Sequence, residues 1–152
     1  VALFEAPEHL AAAAALIHDE FWRDVPGASV EGMRARLAQA TSADALPLSL
    51  VALHGKQLIG VVNLVDNDDE QHPQWRPWLA GMVVAGPWRG RGVGSALVRS
   101  LLVRARELRF ERVYFGTDGP GFYARLGAVH HEQPRPGFWF MRFDLEAEAQ
   151  NG

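Results

Sequence analysis

The sequence predicts a single α/β (α+β) domain over residues 1–152, a mixed central sheet flanked by helices in the order ααβββαβαββ. Three observations predict it. Apolar residues recur at helical spacing in two stretches, one near the start and one after Gly92. Between and beyond them lie β-branched and apolar runs of strand length, separated by turns containing Gly and Pro. With 152 residues, 48% of them hydrophobic, and no repeat or linker, the chain suits one self-sufficient core.

Pro7 and Glu8 suit the first turn of a helix in which Leu10, Ala14, Ile17 and Phe21 share a face, ending before Pro26-Gly27. Ser29 is an N-cap for a second helix through Met33 and Leu37 to about residue 40. Residues 48–65 read as two strands broken at His54-Gly55-Lys56, a hairpin turn. Residues 66–74 are polar, acidic and irregular, hence a loop. The continuous apolar run of residues 78–84 reads as a strand buried on both faces. Val93, Leu97, Leu101, Ala105 and Leu108 then form a helical stripe. Residues 112–115 follow as a strand, and residues 121–126 as a short helix closed by Gly127. Residues 128–133 and 138–145 supply two last strands around the turn 134–137.

Bulk composition narrows the function. A net charge of −3 argues against a general binder of nucleic acid or anionic membrane. The arginines from Arg99 to Arg112 are a solvated helix face. Without cysteine the chain has no disulfide, thiolate metal site or cysteine nucleophile, and no metal is expected. No apolar run spans a bilayer, and residues 11–17 lack the basic leader of a signal peptide, so a cytoplasmic protein is expected.

The most specific feature is Arg89-Gly90-Arg91-Gly92-Val93-Gly94, between a strand and a helix. Alternate glycines let a ligand approach the backbone, and their N–H groups converge at the positive end of the next helix. Guanidinium groups suit phosphate oxygens. The loop reads as a pyrophosphate cradle. It is not a P-loop, which needs Gly-Lys-Ser/Thr after four spacers. Nor is it a dinucleotide fingerprint: counted from Gly90 or Gly92, the sixth position is Ser95 or Leu97.

The pattern Q/R-x-x-G-x-G/A does fit, and here the sequence resembles the GNAT superfamily of acetyl-CoA-dependent N-acetyltransferases. The strand before the loop, the helix after it and Phe122-Tyr123-Ala124-Arg125-Leu126-Gly127 match that family in order and spacing. The resemblance implies an N-acetyltransferase domain with acetyl-CoA (coenzyme A) as co-substrate. It implies backbone contacts to the pantetheine arm at Met82, Val83 and Val84, as if the cofactor were an added strand. Pyrophosphate contacts would fall on Arg89, Gly90, Arg91, Gly92, Val93 and Gly94, with Ser95 in the first helical turn.

By the same resemblance Tyr123 protonates the departing thiolate. A phenol with an ordinary pKa of about 10 holds its proton at neutral pH. Many relatives place a basic Glu on the strand before the loop, but Trp78-Leu79-Ala80-Gly81 offers no carboxylate. The acidic loop with Asp66, Asp68, Asp69, Glu70 and His72 lies just upstream. His130 and His131 read as structural. Of the tryptophans, Trp75 and Trp78 are the better candidates for an acceptor pocket, ahead of Trp22 and Trp139.

The resulting expectation is acetyl transfer to a small-molecule or peptide amine by direct attack in a ternary complex, with a homodimer as the assembly relatives often adopt. The alternatives are a non-catalytic coenzyme-A-binding sensor on the same fold, and an interaction domain whose loop binds nothing.

Overall fold

The structure, a computed structural model, describes residues 1–42 and 44–145; the last residues of the expected domain lie outside the described residues. Two 3-10 turns, Leu3–Glu5 and Pro7–His9, lead into α1 (Leu10–Ile17), which buries Ala13, Ala14 and Ile17. The helix then widens into a π-helical turn, His18–Trp22. That wider turn rotates the register, so Phe21 leaves the predicted apolar stripe and is 47% exposed. α2 (Val30–Leu37) starts as expected, with the Ser29 hydroxyl accepting the Gly32 N–H at 3.0 Å. It ends short of the predicted boundary, although Ala40 is still buried.

β1 (Leu48–His54) and β2 (Gln57–Val65) form an antiparallel hairpin whose turn uses Gly55 at φ +60°. β3 (Trp78–Val84) pairs antiparallel with β2, and the chain crosses through α3 (Val93–Glu107) to a parallel β4 (Arg112–Thr117). The short α4 (Pro120–Arg125) ends at Leu126, and Gly127 reverses the chain at φ +103°. β5 (Val129–Arg135) and β6 (Phe138–Asp144) close the fold as a hairpin. The predicted element order is the observed one.

The sheet has six strands in the order β1-β2-β3-β4-β6-β5. Alternation along the strands divides its apolar side chains between two layers. Leu50, Val62 and Leu64 join Leu97, Val98, Leu101 and Ala105 of α3. Val51, Val61 and Val83 face Ala13, Ala14, Ile17 and Leu37 of the two N-terminal helices. β5 is an exposed edge strand along its whole length.

β3 departs from the fully buried strand predicted for it. Its ends are buried, but Ala80, Gly81 and Met82 are half-buried. The physical reason is that one flank of β3 has no strand beside it over most of its length.

Candidate active site

β3 and β4 register at a single pair, Trp78 with Tyr114, where the Tyr114 N–H also donates to the Pro77 carbonyl at 2.9 Å. Beyond that point the parallel strands part, leaving a split in the middle of the sheet. A bulge in β3 accompanies the parting. Val83 pairs with Val61 and Ala80 with Asn63, so Gly81 and Met82 together oppose Val62. Gly81 takes φ +59°, and a Cβ there would lie 2.9 Å from Asn63 Nδ2. Asn63 is itself buried: its Oδ1 accepts the Ser49 hydroxyl at 2.6 Å and its Nδ2 donates to the Ala80 carbonyl at 3.2 Å. Ser49, Asn63 and Gly81 escaped the sequence reading. The signals were there, an Asn in an apolar strand and an isolated Gly in another.

At the far end of β3 the Ala85 N–H donates to the Ile59 carbonyl at 2.8 Å. Antiparallel alternation then turns the N–H and C=O of Val84 away from β2, toward the split. Val83 is buried among the N-terminal helices, and Met82 reaches the cleft.

The glycine loop continues from this end of β3. Gly90 (φ +75°) and Gly92 (φ +85°) adopt left-handed backbone, and a Cβ on either would meet nothing within 4 Å. Gly92 is the N-cap of α3, and no side chain caps that end, so the first N–H groups of the helix are left without a side-chain acceptor. Gly94 serves differently. A Cβ there would sit 3.3 Å from the Phe122 ring, so it lets α3 pack on α4. Val93 and Ser95 are half-buried in the first turn. Both loop arginines are turned aside: Arg91 lies 5.2 Å above the Trp88 ring, and Arg89 donates to the Val84 carbonyl at 2.9 Å and to Glu20 at 3.1 Å.

On the other side of the split is a cleft of about 910 Å³. Met82 and Tyr123 line it together with Glu20, Phe21 and Trp22 of the π-turn, Arg36 of α2, the acidic loop and Phe138. The loop at 89–94 is not part of this wall. Tyr123 packs against Phe115 at 4.4 Å between ring centres. Its pKa is pushed up to about 12, by burial first and then by the Asp118 charge.

The acidic loop is braced rather than irregular. Asn67 Nδ2 donates to the carbonyls of His72 (2.9 Å) and Trp75 (3.0 Å), and Asp69 holds His72 Nδ1 at 2.7 Å. Asp66, Asp68 and Asp69 all reach the cleft. The hydrogen bond from His72 lowers the Asp69 pKa below the usual carboxylate value. Asp68 keeps an exposed surface but is set into the concave mouth. Lost water raises its pKa, Asp69 adds to this, and Arg36 opposes it. Arg76 pairs with Asp66.

Of the two favoured tryptophans, only Trp78 lines the cleft. Trp75 is a core residue, stacked on His72 at 3.7 Å and on Tyr114 at 5.8 Å. Trp22 takes its place in the wall. His131 packs edge-on against Trp75 and His130 against Trp139, as structural residues would. Among the described residues no group of three or more His, Asp or Glu side chains could hold a metal ion, and no helix is long and apolar enough to cross a membrane.

Fold and cleft together define a mixed α/β protein with a sheet split open above an uncapped helix N-terminus. The chain belongs to the acetyltransferase (GNAT) family, whose sequence profile matches residues 14–128. Solved structures agree in fold. An aminoglycoside 6'-N-acetyltransferase complexed with coenzyme A superposes with a TM-score of 0.71 at 13% identity, covering 91% of this chain and 92% of that one. The ribosomal-protein-alanine N-acetyltransferase of Brucella melitensis gives 0.71 at 20% identity, covering 91% and 95%. YncA of Salmonella typhimurium, a putative acetyltransferase with acetyl-CoA, gives 0.71 at 16% identity, covering 91% and 89%. A search of curated proteins by sequence finds no match.

Proposed function

We propose that residues 1–152 act as an N-acetyltransferase domain that moves an acetyl group from acetyl-CoA to a primary amine by direct attack in a ternary complex. The observation that carries this reading is the split itself. It offers a strand edge, from Met82 to Val84, with no strand beside it and the Val84 carbonyl held by Arg89, that leads to the N-terminus of α3. An arm with amides and a diphosphate at one end fits both parts: amides on the strand edge, diphosphate on the amides of Gly90, Gly92, Val93, Gly94 and Ser95. The Val84 N–H faces the split, where it can polarise the thioester carbonyl.

The amine nitrogen forms the new C–N bond while the C–S bond breaks. Tyr123 donates its O–H proton to the leaving sulfur, and the second proton shed by the acylated nitrogen restores the phenol. With a pKa of about 12 the phenol is protonated throughout the neutral range, so it is always ready as a donor. Asp68 is the carboxylate best suited to accept the ammonium proton before attack, because its pKa is shifted upward toward the working pH. The protein's own contribution is chiefly placement of the two reactants.

A coenzyme-A-binding sensor is the second reading, favoured by the lack of any carboxylate on β3. Calorimetry with acetyl-CoA and thiol release over an amine panel separate the two. Thiol release reads cleanly here, since the protein has no cysteine. Binding with release supports acetyl transfer, binding without release across the panel supports the sensor, and no binding overturns both.

A further inference from the structure

Arg89 binds two parts of the molecule with one guanidinium. Its Nε donates to the Val84 carbonyl at 2.9 Å, and its terminal nitrogen donates to Glu20 at 3.1 Å. The second bond ties the start of the glycine loop to the π-helical turn after α1. π-turns are uncommon and concentrate at functional sites. This one sets Glu20, Phe21 and Trp22 side by side in the cleft wall.

Of the other carboxylates in the cleft, Asp66 pairs with Arg76 and Asp69 with His72, Asp68 feels the Arg36 charge, and Asp118 acts on Tyr123. Glu20 differs. The group that neutralises it belongs to the donor end of the split, not to the cleft.

We propose that Glu20 is a specificity residue for the acceptor, binding its ammonium group, and that Arg89 masks it until a diphosphate at the 89–94 loop draws the guanidinium away. The proposal rests on the acetyl-transfer reading above and adds a residue and a coupling to it. Arg89 and Glu20 retain 57% and 43% of their side-chain exposure, so their pairing is weak and easily exchanged. A diphosphate at a helix N-terminus offers more charge and two acceptors for the same fork. Its arrival frees the Val84 carbonyl for the donor arm and uncovers the Glu20 carboxylate beside Phe21 and Trp22. An ammonium on an apolar or flat body satisfies all three. Linkage makes the effect mutual: whatever factor the donor adds to amine binding, the amine returns to donor binding.

The test uses the whole protein and coenzyme A alone. Removing the competitor with Glu20→Gln should tighten coenzyme A binding by about two- to fivefold at low ionic strength, the size expected of an exposed pair. The gain should fade at high salt. Arg89→Ala should weaken binding instead. With an amine identified by thiol release, Glu20→Gln should raise its KM while leaving kcat within about twofold. Equal or weaker coenzyme A binding by Glu20→Gln, or an unchanged amine KM, overturns the proposal. Failure of the wild-type protein to bind coenzyme A would instead sink the acetyl-transfer reading, before any variant is compared.

Discussion

The Ser49 hydroxyl donates to Asn63 Oδ1 at 2.6 Å in the wall of the cleft, joining two buried polar residues. The bond satisfies an amide oxygen that would otherwise sit dry, while the same amide holds the Ala80 carbonyl just before the Gly81 bulge. Ser49→Ala leaves that oxygen unpaired, so unfolding in urea should show a loss of about 1–3 kcal/mol. Asn63→Leu should cost more function than Ser49→Ala, because it also frees the bulge.

Gly81 faces a backbone and a packing constraint at once. Its φ of +59° disfavours any Cβ, and the added atom would press on Asn63 Nδ2. Gly81→Ala should therefore lose about 1–2 kcal/mol from the left-handed backbone alone. Coenzyme A affinity should fall with it, as the strand edge shifts. Calorimetry and thermal melts on the same preparation would check both.

Tyr123 and Tyr114 are the only tyrosines. In Tyr114→Phe, absorbance near 295 nm therefore reports Tyr123, and its midpoint should lie at about 12. The sign is that of a group with a raised pKa. Its contribution to stability is complete below the unfolded value of about 10 and disappears as pH climbs through the folded value. Tyr123→Phe should lower kcat by about 10²-fold or more with little change in acetyl-CoA binding. An unchanged kcat would remove the phenol from the mechanism.

Asp68 predicts an acid limb. As a proton acceptor it works only when ionised, so kcat/KM should rise with pH through its pKa, which lies above the ordinary carboxylate value. Asp68→Asn should abolish that limb and lower kcat/KM by about 10²–10⁴-fold. A limb that survives in the variant would assign the proton to another group.

The Asp69–His72 bond gives the loop its own pH response. Because the folded Asp69 pKa is lowered, the bond contributes stability above the ordinary carboxylate value, and this is lost as pH falls through the folded value. Trp75, stacked on His72, provides the probe. Tryptophan fluorescence, to which Trp75 contributes among five tryptophans, should change as pH falls below the ordinary carboxylate value, and His72→Ala should abolish that part of the change.

The sequence announces its elements where local chemistry decides them. Ser29 caps α2, Gly55 turns the hairpin, and the glycines around Arg91 mark the strand-to-helix junction. What it conceals are choices made by neighbours far along the chain. Phe21 keeps helical spacing in the sequence yet swings outward, because the backbone widens after Ile17. Trp75 sits beside prolines like a surface ring yet is held between His72 and Tyr114. The roles assigned to Arg89 and Arg91 follow from charge, but their resting partners, Glu20 and Trp88, lie outside the loop. Apolar composition places β3 in the sheet. It cannot say that β4 leaves it after one pair, since that depends on the bulge at Gly81 and its support by Asn63.

An unpaired strand edge on a protein's surface invites other chains to add to it and so to aggregate. Here two such edges, those of β3 and β4, face each other inside a cleft. Their place in the middle of the sheet makes the difference: each lies between other strands rather than at the rim, where another protein's strand would add. The fold can thus leave an interior strand edge open without making it a hazard; at the outer edges, Val1 and Ala2 pair along β1, and the polar β5 is where self-association through the sheet has to be resisted.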